Sequence, residues 1–183
     1  MRSYDNEPIV VQRQVKAVAI PAGVEVNLKQ GSVGYITQAL GGSFTVYVDG
    51  NLFRIAGQDA DAIGKTAVHA PEVPPEATEE DIKNVVWQQL KTCFDPEIPV
   101  NIVDLGLVYV CDVTKNEDDS RTVDIKMTLT APGCGMGEVL VQDVREKVEI
   151  VPTVAHANVE LVFDPPWNYT MMSDEARLQT GMM

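Results

Sequence analysis

At 183 residues with 45% hydrophobic side chains, the chain is long enough to bury one core or two small ones. Its 27 acidic residues against 14 basic ones give a formal charge of −13, which disfavours nucleic acid and anionic membranes as partners. No apolar run approaches the roughly 20 residues of a membrane span, and residues 1–10 lack the layout of a signal peptide, so the expected location is cytoplasmic.

Three cysteines, Cys93, Cys111 and Cys134, stand at wide spacings. An odd number so placed fits a reducing compartment better than a disulfide framework, and the absence of a C-x-x-C pair argues against a self-contained zinc site.

Taken in order, residues 1–66 carry turn signals and little helical periodicity. The spacing predicts short strands at 15–20, 25–28, 34–38, 44–48 and 52–55, a pattern that suggests a small barrel-like all-β domain. Asp49-Gly50 suits a type I′ hairpin turn. Asp59 and Asp61 in the following helical turn read as solvated charge rather than a cation site, since no further oxygen ligands follow at calcium-loop spacing. The acidic, proline-rich stretch 70–77 reads as a linker, dividing the chain into 1–69 and 78–183.

Thr78 followed by Glu79, Glu80 and Asp81 is a helix start. The helix is expected to run to about residue 92, with Ile82, Val86 and Cys93 on a buried face. A loop with two prolines follows at 95–106 and presents Asp95, Glu97, Asn101 and Asp104. Asp95 is expected to bond local amides, and for Asp104 a functional role and a turn role are equally open. Strands are expected at 107–113, with Leu107, Tyr109, Cys111 and Val113 sharing a face, at 122–130, with Thr128 on the polar face, and at 157–163, with Phe163 inward. A helix at 136–150 links the last two, so these should run parallel through a right-handed crossover. The expected fold class is therefore α+β: the barrel-like domain, then an α-β-β-α-β domain with a small mixed sheet and both helices on one face. A site should lie beyond the C-terminal edge of the parallel strands. Asp164-Pro165-Pro166-Trp167 leaves that edge, with Trp167 better read as a plug in the core than as a cover for the site. Ser173 caps a short final helix.

Residues 130–138 join the second of these strands to the helix. Cys134 sits between Gly133 and Gly135, preceded by Thr130 and Pro132, where a helix N-terminus favours a thiolate and glycine keeps the backbone approachable. His69 and His156 have no partner at ligand spacing and read as structural or solvent-facing.

D-P-E-I-P-V-N-I-V-D-L-G-L-V-Y at 95–109, T-A-P-G-C-G-M-G at 130–137 and D-P-P-W at 164–167 resemble, in that order, the domain shared by PaaD-like and SufT-type iron–sulfur cluster assembly factors. Segments 36–46, 54–64 and 171–182 resemble SufT proteins in particular. Gly135 stands where many members of the wider family have proline, a departure that fits the SufT subgroup. The resemblance implies an accessory, non-enzymatic role beside the SUF assembly proteins and their iron–sulfur clients, with Cys134 at the motif cysteine and Asp104 in the acidic loop motif.

One exposed thiolate is a good soft ligand but falls short of the set that holds a permanent cluster. The expectation is that Cys134 binds iron or a cluster transiently. A second chain in a homo-oligomer, a client or a small thiol would complete the coordination. The competing readings are a metal-free adaptor and, last, a thiol enzyme, for which no base is evident.

Overall fold

Beyond β1, at Glu7–Val10, lie five further strands of the first unit: β2 (Val15–Ile20), β3 (Glu25–Leu28), β4 (Val33–Leu40), β5 (Ser43–Val48) and β6 (Asn51–Ile55). This is a computed structural model, and it describes residues 6–133 and 135–182. The chain divides between His69 and Ala70 into two units, each with its own core. Among the described residues no helix is long and apolar enough to cross a membrane.

In the first unit the strands form one antiparallel sheet in the order β1-β4-β5-β6-β2-β3. Alternation drives it: Phe44, Val46 and Val48 of β5 are buried while Thr45 and Tyr47 face outward. Asp49 and Gly50 both take positive φ, 48° and 84°, as the type I′ turn between β5 and β6 demands.

The barrel expected from sequence is not closed. β1 and β3 are the two edges, and past β1 the Gln12 amide donates to the Ala62 carbonyl, in a 3-10 helix at Gly57–Ile63. That helix inserts Ala60, Ala62 and Ile63 into the core, so a plug of helix does what strand closure would have done. β1 itself was not foreseen. It is four residues long and contains Pro8, which suits only an edge strand. Asp59 and Asp61 are held by Arg13, at 2.8 and 2.7 Å.

The second unit contains α1 (Glu79–Leu90), β7 (Val108–Lys115), β8 (Arg121–Met127), α2 (Gly137–Glu149), β9 (Val154–Leu161) and α3 (Asp174–Thr180). Its sheet has the order β7-β8-β9, with β8 antiparallel to β7 and parallel to β9. Val123, Ile125 and Met127 of β8 are buried and alternate with exposed Asp124 and Lys126. Ile82, Val86 and Leu90 of α1 and Leu140, Val144 and Val148 of α2 join them in one core. Each such side chain contributes about 1.5–3 kcal/mol by leaving water. Lys147 of α2 ties the helices together by donating to the Thr92 carbonyl at 2.7 Å, beside Asp143.

Three facing assignments differ from expectation. β7 is bulged between Val108 and Val110, so Val108 rather than Tyr109 lies opposite Met127. Pairing of β9 with β8 ends at Leu161 opposite Met127, which leaves Phe163 past the sheet and 46% exposed. Thr128, beyond the end of β8, is buried instead of solvated.

Thr78 closes the start of α1 reciprocally: its hydroxyl accepts from the Asp81 amide and the Asp81 carboxylate accepts from the Thr78 amide at 2.9 Å. Thr78→Ala is expected to cost about 1 kcal/mol, read as a lowered urea midpoint at unchanged slope.

Candidate functional site

Three segments meet one edge of the second sheet. β8 and β9 are parallel and end side by side at Met127 and Leu161, while antiparallel β7 begins there, with Val108 opposite Met127. The loop entering β7 (91–107), the link from β8 to α2 (128–136) and the segment leaving β9 (162–173) therefore share that edge. Cys134 lies outside the described residues, so the site is built from its neighbours on either side.

The 95–106 loop is ordered by its own polar groups. Asp95 is only 5% exposed, and its Oδ1 accepts from the Glu97 and Ile98 amides, both at 2.9 Å. Its Oδ2 accepts from the Thr130 hydroxyl at 3.4 Å, which links the loop to the start of the cysteine-bearing segment. Glu97 is exposed, with its amide held by Asp95. At the neck of the loop Phe94 bridges to Asn101, and the Ile102 amide donates to the Cys93 carbonyl.

Asn101 and Asp104 form a second knot. Asn101 Oδ1 accepts from the Val103 and Asp104 amides, and its Nδ2 donates to the Asp104 carboxylate. The Asp104 side chain thus has a local partner, in keeping with a turn residue.

The C-terminal segment grips this loop from the other side. Trp167 Nε1 donates to the Leu105 carbonyl at 2.6 Å, and the Ser173 amide donates to the Asp104 carbonyl at 2.8 Å. Gly106 (φ +75°) lies so close that a Cβ there would sit 2.2 Å from the Met171 carbonyl oxygen. The Tyr109 hydroxyl, turned out by the bulge, donates to the Pro165 carbonyl at 2.8 Å. Trp167 is half-buried and packs on the core, which fits the plug reading.

Around the cysteine segment the backbone is open. Gly133 (φ +77°) and Gly135 are exposed, with nothing within 4 Å of where a Cβ would stand. Met136 precedes α2 without a side-chain cap, so no side chain of that residue satisfies the first amides of the helix. The other two thiols are packed away: Cys93 is fully buried, and burial pushes the Cys111 thiol up to about 11. Among the described residues no group of three or more His, Cys, Asp or Glu is gathered to hold a metal ion. His156, exposed on β9 opposite Thr122, stands apart from this edge.

The Asp95–Thr130 link and the Tyr109 contact were not anticipated. An Asp before Pro signals the turn but not a bond to residue 130, and a bulge has no signature in an otherwise alternating run.

Comparison with known proteins bears on this arrangement. Residues 83–161 match a family described as iron–sulfur cluster assembly protein. An Fe-S protein maturation auxiliary factor of Porphyromonas gingivalis is 46% identical over 106 residues, 58% of this chain and 93% of that one. The chain belongs to this iron–sulfur cluster assembly family. Two further relatives are Fe-S protein maturation auxiliary factors. YitW of Bacillus subtilis is 36% identical over 57% of this chain and 98% of its own, and SufT of Staphylococcus aureus is 38% identical over 49% and 97%. The family match spans the 95–106 loop, the knot at Asn101 and Asp104, and the segment around Gly133 and Gly135, while Trp167 and the gripping segment lie beyond it.

Gly106→Ala is expected to loosen the grip, because positive φ and the close Met171 carbonyl both oppose a Cβ, with about 1–2 kcal/mol from the backbone alone. Hydrogen exchange should speed up at the Ser173 amide while β8 stays protected. Unchanged exchange at Ser173 would contradict the clamp.

Proposed function

We propose that the chain is an accessory factor in the maturation of iron–sulfur proteins, and that Cys134 is a transient ligand for iron or a cluster in transit. The cluster is cargo, not a resident cofactor. What supports the reading is that Gly133 and Gly135, which flank Cys134 in the sequence and fall within the family match, are exposed between the end of β8 and an uncapped helix start. A helix N-terminus lowers a thiol's pKa, and a thiolate is a soft ligand suited to iron.

With Cys93 and Cys111 buried in the core, Cys134 is the remaining cysteine of the three and the one proposed as ligand. Incomplete coordination suits transfer, because a receiving protein with a full ligand set binds the cargo more tightly. The partners are SUF assembly proteins and iron–sulfur clients. The family-matching part acts as one domain, 78–183, joined through 70–77 to the domain at 1–69. A reducing cytoplasm suits its free thiols. The role is not catalytic: no base is placed by the sequence beside Cys134, and Asp95 is engaged in holding the loop.

The bracing of the 95–106 loop from both sides favours a second reading, a metal-free adaptor that offers this loop as a preformed docking surface. Anaerobic reconstitution with iron and sulfide separates the two. Wild type is expected to take up iron and Cys134→Ala to lose most of it, together with rescue of cluster-enzyme activity in a deletion strain. Equal uptake and equal rescue would leave the adaptor.

A thiol-specific alkylating reagent at pH 8 should modify Cys134 alone in the native chain. Cys111, with its thiol near 11, should react only after unfolding. Modification of Cys111 at the rate of Cys134 would remove the distinction.

A further inference from the structure

We propose that the Glu149 carboxylate guards the outer edge of β9 against pairing with another copy of this chain. β9 stands at the end of the order β7-β8-β9, and its register with β8 is regular from His156 to Leu161. Just past it the Val162 amide donates to the Met127 carbonyl of β8 at 2.8 Å. Backbone groups alternate sides along a strand, so the amides of Ala157, Val159 and Leu161 point away from β8, to the free edge. The Ala157 amide bears this out by donating to Glu149 Oε1 at 3.1 Å.

A sheet edge accepts a further strand unless something spoils it. β1 contains Pro8, β3 is four residues long, and β7 is bulged between Val108 and Val110. Over residues 156–161 β9 has no proline and no bulge, and what stands at its edge is Glu149. The helix does not call for that residue. α2 ends at Glu149, where a carboxylate meets the negative end of the helix dipole. The edge amide gives the charge its partner, in the stronger kind of hydrogen bond that an ionised acceptor makes. An incoming strand needs the Ala157 amide for its own ladder, so it has to displace the carboxylate and bury it unpaired. Without the carboxylate, the edge complements itself. Two copies of β9 related by a two-fold axis at Val159 run antiparallel, with Ala157 of one copy opposite Leu161 of the other and all the outward amides facing each other.

Sedimentation velocity on the full chain under reducing agent tests this, in about 0.5 M salt so that the −13 of each copy is screened. Between about 1 and 300 micromolar, the weight-average mass of Glu149→Ala is expected to climb toward twice that of wild type. Alanine suits an exposed helix position, so the variant keeps its fold and its circular dichroism spectrum. Glu149→Gln retains an oxygen that can accept from Ala157 and should follow wild type. Glu160→Ala removes the same charge from β9 itself, at an exposed position facing Lys126, and should also follow wild type. Hydrogen exchange locates the contact: in dilute Glu149→Ala the Ala157 amide should exchange faster than in wild type, and at high concentration Val159 and Leu161 should slow. Equal mass for Glu149→Ala and wild type throughout, association of Glu149→Gln or Glu160→Ala to the degree of Glu149→Ala, or association without slowed exchange at Val159 and Leu161 would each overturn the proposal.

Discussion

Parallel pairing of β8 with β9 is the constraint on which the second unit depends. Two strands that run the same way must end at the same edge, so a connection through α2 places the exits of both strands there. The antiparallel β7 then has to begin at that edge. Segments far apart in sequence, 91–107, 128–136 and 162–173, become neighbours because of backbone hydrogen bonding, before any side chain is considered.

Side chains then convert neighbourhood into a defined surface. The loop at 95–106 has too many prolines for regular structure, so its amides must find other partners. Asp95 and Asn101 supply them, and the buried carboxylate of Asp95 accepts from two amides and the Thr130 hydroxyl. The C-terminal segment fixes the outer side through Trp167 and Ser173. The loop is thereby rigid without being helix or strand, which is the condition a recognition surface needs. The open backbone at Gly133 and Gly135 follows Thr130, whose hydroxyl donates to Asp95 of that loop.

The two units divide the physical work. One carries all the net charge and the family match, while the other is electrically balanced. A net charge of −13 disfavours non-specific contact with other anions. About half of this chain matches nearly the whole length of the three relatives.

Periodicity and punctuation alone determined the helices at Glu79–Leu90 and Gly137–Glu149, the Thr78 cap of the first, the Asp49-Gly50 hairpin and the parallel β8–β9 pair, because each rests on interactions a few residues long or on a connection rule. The residues around Cys134 were legible for the same reason, since a strand end, glycines and a helix start are local. Only the tertiary structure decided the rest. Whether six strands close or stay open depends on which groups meet at the sheet edges, and here the 3-10 helix bonds Gln12, just past edge strand β1. The outward turn of Tyr109, the burial of Asp95 against Thr130 and the grip of Trp167 on Leu105 join residues dozens of positions apart. Such contacts are fixed by the packing of the whole unit, and no local pattern encodes their distances.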